Sequence, residues 1–282
     1  MKIYIVIPAH NEAKFIGATL QSLIDQTYQA YKIVVIDDQS NDDTAKLVSG
    51  YTQKHPFISL VSITSSKAHL PGSKVIRAFT EGLKTLDEEY DILCKFDADL
   101  IFPENYLKQL VHHFNSSSEI GMAGGFCTIK NGNEWKLENL TSKDHIRGAL
   151  KAYRKECFKA IGGLKPAMGW DTADELLAAY HGWKIQTDES LLVKHLKPTG
   201  ATYNKASKYK QGEAFYKLRY GFIITLIASA KLAYLKKDFN LFKDYISGYI
   251  KASKQKPSYL LTEEEGTFVR KLRWSKMLKK VL

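Results

Sequence analysis

Apolar and polar positions alternate in blocks along the first hundred residues. Ile3 to Ile7 is a short β-branched run, which predicts a strand. From Glu12 to Gln26 the apolar residues Phe15, Ile16, Leu20, Leu23 and Ile24 fall at helical spacing. Lys32 to Ile36 returns to a strand pattern and ends at Asp37-Asp38. Asn41-Asp42-Asp43-Thr44 then predicts a helix start, because Asn and Asp oxygens accept from free backbone N–H groups; that helix runs to about Thr52. Ile58 to Ile63, Ser73 to Leu86 and Ile92 to Phe96 predict a third strand, a helix and a fourth strand. Alternation at this spacing argues for an α/β fold with a parallel sheet covered on both faces. In such sheets ligands bind beyond the carboxyl ends of the strands.

After Asp99 the pattern changes. Asn105 to Phe114 reads as a helix and Gly121 to Lys130 as a strand broken at Gly124-Gly125. His145 to Ile161 reads as a helical stretch ending at Gly162-Gly163. Gly169-Trp170-Asp171-Thr172-Ala173-Asp174-Glu175 opens a further helix, which His181-Gly182-Trp183 ends, and Leu191 to His195 is a late strand. A boundary falls near Thr202, giving a domain over 1–202 and an extension over 203–282. Within the extension Lys208 to Lys236, Phe239 to Ser253 and Thr262 to Leu282 predict three helices.

The polar residues at the strand exits carry the chemistry. Strand one exits into Pro8-Ala9-His10-Asn11-Glu12, strand two into Asp37-Asp38-Gln39-Ser40, and strand four into Asp97-Ala98-Asp99. All three would meet on one edge of one sheet. Two carboxylates one residue apart form a hard-oxygen site for Mg²⁺ or Mn²⁺, completed by substrate phosphates; taken alone, the same pair also suits a solvated turn. No G-x-G-x-x-G follows strand one, which argues against a dinucleotide oxidoreductase.

Composition and charge change this picture in two places. Cys94, Cys127 and Cys157 are odd in number and widely spaced, so they predict neither a zinc site nor a disulfide framework, but small buried residues in a reducing cytosol. The net charge of +11 is uneven: residues 203–282 hold 18 Lys+Arg against 6 Asp+Glu, and residues 1–202 hold 23 against 24. A basic section on a near-neutral body predicts either an anionic partner surface or a solvated face. The run Met1 to Pro8 turns polar too soon for a signal peptide. The longest apolar stretch, Gly221 to Leu235, falls short of the ~20 residues of a membrane span. The expected location is the cytoplasm, with peripheral attachment to the inner face of the membrane as the alternative to a free protein. In the last helix Phe268, Leu272, Met277 and Leu278 mix with Arg270, Lys271, Arg273, Lys276, Lys279 and Lys280, a pattern that suits either an anionic membrane surface or packing on the domain. Nucleic acid is not expected.

The ordered set Val6-Ile7-Pro8-Ala9-His10-Asn11-Glu12, then Val35-Ile36-Asp37-Asp38-Gln39-Ser40-Asn41-Asp42-Asp43-Thr44, then Phe96-Asp97-Ala98-Asp99 resembles family 2 glycosyltransferases of the GT-A fold. The resemblance covers roughly residues 1–200. It implies a GT-A nucleotide-sugar-binding sandwich with a mostly parallel central sheet, followed here by the helical extension. It also implies a nucleotide-diphosphate sugar donor, a divalent cation (Mn²⁺ or Mg²⁺) and inversion at the anomeric carbon. A carboxylate at Asp38 suits uracil or guanine, so a UDP- or GDP-linked donor is expected, and with the basic, aromatic-rich tail the expected acceptor is a glycan or lipid-linked hydroxyl. By resemblance, Pro8, Ala9, His10, Glu12 and Asp38 hold the nucleoside, and Asp97 and Asp99 the metal, with Asp99 the better ligand. Lys74 and Arg77 are candidate diphosphate contacts, although Thr80 stands where the family often has Asn. Counting back from Gly182-Trp183 places Asp171 at the family's catalytic base and Trp170 where the family has Glu. Asp174 and Glu175 compete for the base role, and Asp171 also suits a helix cap. Trp170 and Glu175 are candidates for contact with a sugar, and His195 for the diphosphate or the metal. Two readings compete with the transferase: a nucleotidyltransferase, for which strand one lacks a Gly-rich basic loop, and a non-catalytic scaffold with a membrane-binding tail.

Overall fold

The computed structural model describes residues 1–64, 72–138, 143–197 and 209–279. Three expectations lie outside these residues: the boundary near Thr202, the start of the expected helix at Lys208, and the end of the last helix from Lys280 to Leu282. The first half follows the expected alternation: β1 (Ile3–Ala9), α1 (Ile16–Ile24), β2 (Lys32–Asp38), α2 (Thr44–Lys54), β3 (Ile58–Ile63), α3 (Ser73–Leu83) and β4 (Ile92–Phe96). Strands β3, β2, β1 and β4 lie side by side and parallel, with Pro8 opposite Ile36 and Ala9 opposite Asp37. This register brings the exits of β1, β2 and β4 to one edge. The strands read as continuous apolar runs because both faces are covered: Ile3 to Ile7, Ile33 to Ile36 and Ile92 to Cys94 are all buried.

The second half is mixed rather than parallel. It comprises β5 (Leu100–Ile101), α4 (Tyr106–Ser116), β6 (Ile120–Asn131), β7 (Glu134–Leu137), β8 (Leu150–Arg154), α5 (Lys155–Ala160), α6 (Trp170–Tyr180) and β9 (Lys184–His195). The sheet order is β3-β2-β1-β4-β8-β6-β9-β5, with β7 on β6. Strand β8 runs antiparallel to both β4 and β6, and β9 runs parallel to β6. Here one expectation is corrected. His145 to Ile161 is not one helix: Leu150–Arg154 is the strand β8, seated between β4 and β6, and only Lys155–Ala160 is helical. The strand wins because pairing on both sides satisfies its backbone and buries Leu150, Ala152 and Tyr153.

Among the described residues the C-terminal section forms four helices rather than three: α7 (Lys210–Lys217), α8 (Gly221–Leu235), α9 (Asn240–Gln255) and α10 (Glu263–Leu278). The stretch expected as one helix over 208–236 breaks after Lys217, where Arg219 and Gly221 take positive φ of 54° and 74°. Phe215, Leu218, Tyr220, Ile224, Leu261 and Val269 join the same buried cluster as the sheet. On α10, Phe268, Leu272 and Met277 also pack on this core, and Phe268 meets Tyr180 of α6 edge-on at 5.5 Å. The three cysteines are free and buried. Among the described residues no helix is long and apolar enough to cross a membrane.

Candidate functional site

The exits of β1 and β2 are laced to each other. Asn11 and Gln39 both take the left-handed region at φ 56°, which non-glycine residues seldom adopt. Local bonds hold them there. Asn11 N–H donates to Ser40 Oγ at 2.8 Å, and Asn11 Oδ1 accepts from the Asn41 N–H at 2.8 Å. His10 Nδ1 lies 2.6 Å from the Asp38 carbonyl oxygen, Glu12 N–H donates to Thr44 Oγ1 at 2.8 Å, and Ala13 N–H to Asp42 Oδ2 at 3.1 Å. Asp42 Oδ1 also accepts from the Thr44 N–H at 3.0 Å, a local turn ahead of α2, while the N-cap itself, Asp43, makes no side-chain capping bond. Pro8, Ala9, His10, Glu12 and Asp38 are thus brought together. Asp38 is buried, and the Glu12 carboxylate pairs with Lys197 at 2.5 Å. Burial raises the Glu12 pKa, and the nearby charges of Asp99 and Asp97 add to it against the pull of Lys197.

At the exit of β4 the two carboxylates part company. Asp97 pairs with Lys95, two residues back on the same face of the strand, and its N–H donates to the Ala149 carbonyl at 3.1 Å. Asp99 is buried and lies 3.4 Å from His195 Nε2, while its carbonyl accepts from the Leu196 N–H at 2.9 Å. His195 Nδ1 lies 3.6 Å from Glu138, whose carboxylate pairs with Arg147. Cys127, Glu138 and His195 place one ligand atom each within 4.8 Å of one another. Carboxylate oxygens with one imidazole nitrogen suit Mn²⁺ or Mg²⁺. One buried oxygen, Glu12 Oε2, has no hydrogen-bond partner beside this acid group, which fits a site built to receive a cation.

A second acid group opens α6. Burial alone would separate a carboxylate from water at a high cost, so each must be matched. Asp174 is buried; its Oδ1 accepts from Lys151 Nζ at 3.0 Å and its Oδ2 from the Tyr153 hydroxyl at 2.6 Å. Glu175 accepts from Lys151 at 2.9 Å, from the Ile146 N–H at 2.8 Å, and pairs with His145 Nδ1 at 2.8 Å. Asp171 keeps its side chain 34% exposed, with His145 Nε2 at 3.8 Å from its Oδ2. Its burial would raise the carboxyl, yet the His145 and Lys151 charges outweigh that and hold it at about 2. Burial pulls His145 down, but Asp171 and Glu175 prevail and lift it to about 9. Burial raises the Asp174 carboxyl, whereas the three acids together keep the buried Lys151 ammonium charged.

The two acid groups share a floor. Lys95 on β4 and Lys151 on β8 are directly paired across the strands, and both are buried. Like charges so placed repel, and each is neutralised on its own side: Lys95 by Asp97, Lys151 by Asp174 and Glu175. The backbone of Gly148 and Ala149 runs between the groups. Gly148 O accepts from Lys95 Nζ at 3.0 Å, and a Cβ at Gly148 would stand 2.7 Å from the Trp170 ring and 3.3 Å from Asp171 Cβ.

Two expected sugar contacts, Trp170 and Glu175, sit differently from their sequence reading. Trp170 is buried, with Lys95 Nζ 5.4 Å from its ring centroid, so its ring serves as packing beneath the site rather than as a sugar platform. Glu175 has its oxygens engaged by His145, Ile146 and Lys151, which makes it a brace. Arg77 is exposed on α3 and Lys74 half-buried near its start. That start adjoins the approach to α6: Gly72 has φ 73°, and a Cβ there would meet Ala167 O at 2.8 Å. Sequence reasoning missed Lys95, Lys151, His145, Tyr153, Glu138 and Arg147. One signal was available for the lysines, since a lone Lys inside an apolar strand pattern implies a buried partner. For Lys151 the helical reading of 145–161 hid it.

The sequence profile described as Glycosyl transferase family 2 matches residues 4–163. The chain is 31% identical over 100 residues to the probable glycosyltransferase YdaM of Bacillus subtilis, covering 35% of this chain and 23% of that protein. It is 31% identical over 141 residues to a dolichol-phosphate mannosyltransferase of Pyrococcus furiosus, covering 49% and 36%. A poly-beta-1,6-N-acetyl-D-glucosamine synthase of Staphylococcus epidermidis matches at 25% identity over 130 residues, covering 46% and 29%. These matches span between 23% and 36% of the relatives' own length. Among solved structures, the mannosyltransferase PcManGT from Pyrobaculum calidifontis, in complex with GDP-Man and Mn²⁺, aligns with a TM-score of 0.61 at 17% identity, over 90% of this chain and 75% of that one. S. aureus TarS in complex with UDP-GlcNAc aligns at 0.58 and 18% identity, over 80% and 66%. These likenesses establish a GT-A fold.

Proposed function

The chain belongs to glycosyl transferase family 2, and we propose that it performs an inverting transfer of a sugar from a UDP- or GDP-linked donor to a hydroxyl of a glycan or lipid-linked acceptor. The observation that carries this reading is the division of labour among the α6 acids. Asp174 and Glu175 are consumed by Lys151, Tyr153 and His145, and Asp171 alone of the three keeps its side chain partly exposed, next to Gly148, whose carbonyl accepts from the Lys95 that pairs with Asp97. In the proposed reaction Asp171 takes the proton from the acceptor hydroxyl as its oxygen attacks the anomeric carbon. A new C–O bond forms on one face while the bond to the diphosphate breaks on the other, releasing the nucleoside diphosphate. Held at about 2, the Asp171 carboxylate is ionised throughout the working pH range, the form a base requires, and it takes the proton as the acceptor oxygen bonds to the anomeric carbon and its hydroxyl becomes strongly acidic. His145 and Lys151 stabilise that ionised form and fix its neighbours.

Asp38 and the Pro8–Glu12 segment hold the nucleoside, and Lys74 and Lys197 face the diphosphate. Asp99, with His195 beside it, would hold Mn²⁺ or Mg²⁺, and Asp97 is steadied by Lys95. When bound, the cation supplies positive charge against the departing diphosphate. The acceptor class and the basic C-terminal helices together support work at the inner face of a membrane.

Thermal-shift titrations with UDP, GDP, CMP and TDP, with and without Mn²⁺, test the reading, since ligand binding to the native state raises Tm. A metal-dependent shift with one diphosphate is expected, and Asp99→Ala should abolish the metal dependence while leaving the unliganded Tm within about 2 °C. Unchanged metal dependence in Asp99→Ala would overturn the site assignment. No hydrolysis of UDP- or GDP-sugars by the wild type with Mn²⁺ would overturn the transferase itself.

A further inference from the structure

Helix α8 is apolar nearly all round: Ala228 and Leu232 pack on the core while a second apolar side faces outward. Its buried side carries Thr225 and Ser229, both fully buried, together with Ile224 and Ala233. Its exposed side carries Phe222, Ile223, Leu226, Ile227, Ala230 and Tyr234. Their spacing of one, four and five residues lays them along one stripe. The stripe continues through Leu235 to Phe239 at the head of α9, and the exposures are large: 60% at Ile223, 73% at Tyr234 and 75% at Phe239. A surface helix normally turns such residues inward, and a contiguous exposed apolar stripe marks a contact surface. The neighbouring α10 turns most of its apolar residues inward, with Val269 buried and Phe268, Leu272 and Met277 packed on the core, and leaves only Trp274 and Leu278 of its large apolar residues exposed.

The charges around the stripe select the occupant. Helix α8 contains no acid, and Lys231, Lys236 and Lys237 are exposed along its second half and just beyond. Helix α9 folds back against α8, with Tyr249 6.1 Å from Phe222. It adds exposed Lys243, Lys251 and Lys254. The acid at the turn between them, Asp238, has its Oδ1 occupied by the Asn240 N–H at 3.0 Å. A second copy of the chain would bring these lysines against their own kind. An anionic lipid surface offers hydrocarbon to the stripe and headgroup charge to its lysine border, the arrangement of a helix lying in the interface plane. At 15 residues α8 is too short to span a bilayer.

We propose that the exposed face of α8, with its lysine border, docks the protein on an anionic membrane surface, and that α10 serves as packing. Attachment through this face places the proposed work at a membrane on one side of one helix. It does not depend on the transferase chemistry.

Flotation of the full chain with vesicles tests the proposal. Wild type should bind phosphatidylcholine vesicles containing phosphatidylglycerol, more weakly in added salt and weakly to phosphatidylcholine alone. The Ile223→Glu/Ile227→Glu double variant, altered only at exposed positions, should lose at least tenfold in partitioning with an unchanged Tm. A Lys231→Glu/Lys236→Glu/Lys237→Glu variant should lose the preference for phosphatidylglycerol. Wild-type partitioning by the double isoleucine variant would overturn the proposal. So would absence of vesicle binding with a concentration-dependent dimer by light scattering that the same variant abolishes, which would make the occupant a second copy. Nucleotide-induced thermal shift, read on the same variants, reports separately on the catalytic site and should be retained.

Discussion

Asp171 and His145 form the residue pair on which the proposed chemistry turns, and their neighbours decide what substitution does. Asp171→Asn removes a proton acceptor whose side chain is partly exposed and leaves Lys151 still matched by Asp174 and Glu175. Turnover should fall by at least ~10²-fold with donor affinity nearly unchanged, the pattern of a lost transition-state interaction, read by steady-state kinetics and donor titration. Asp174→Asn is a different experiment. It breaks a buried ion pair and the Tyr153 hydrogen bond, so it should cost stability of about 3 kcal/mol in denaturant unfolding. His145 gives a pH signature. Its folded pKa of about 9 lies above the ordinary value near 6.5. Its stabilising contribution is therefore fully present below pH ~6.5 and lost as pH rises through about 9. The Tm difference between wild type and His145→Gln should be largest at pH 6 and vanish by pH 10; a constant difference across that range would sink the ion-pair account.

At the scale of elements, the sheet positions the site through strand ends and close helix packing. Helix α3 crosses β1 and β2 so closely that a Cβ at Gly82 would stand 2.7 Å from both Val6 and Ile36. Gly82→Ala should destabilise the fold by about 1–3 kcal/mol through overpacking, measured by the denaturant midpoint at unchanged m-value. The loss arises because the neighbours are core side chains with nowhere to move. The elements also separate what local pattern could reveal from what it could not. The strands β1 to β4 were legible because each is a short, mainly apolar run, β-branched in β1 and β2, bounded by polar residues. The strand β8 was not, since Leu150-Lys151-Ala152-Tyr153-Arg154 is short and its Lys151 resembles a solvent-facing helix position. Its strand identity comes from β4 and β6 on either side. The break between α7 and α8 was likewise hidden, because Leu218-Arg219-Tyr220 carries no proline and Arg219 takes its φ of 54° with its Nε donating to Leu261 O at 2.8 Å.

Over the whole molecule, one buried core runs from the sheet into the C-terminal helices, while the excess positive charge stays on those helices. The resulting body is near-neutral around the site and basic at one end, with the apolar face of α8 set among lysines. The sequence by itself determined the α/β alternation, the coincidence of the polar exits Pro8–Glu12, Asp37–Ser40 and Asp97–Asp99, and the uneven charge. These follow from local periodicity, since consecutive parallel strands joined by helices must place their carboxyl ends on one edge. Tertiary structure alone decided which of Asp171, Asp174 and Glu175 keeps an exposed carboxylate, because that depends on Lys151, Tyr153 and His145 arriving from β8 and the segment before it. It also decided that Trp170 lies beneath the site and that α8 faces outward with its apolar side. A helix that is apolar nearly all round carries no local instruction about which side to bury; the packing of α7, α9 and α10 against α8 supplies it.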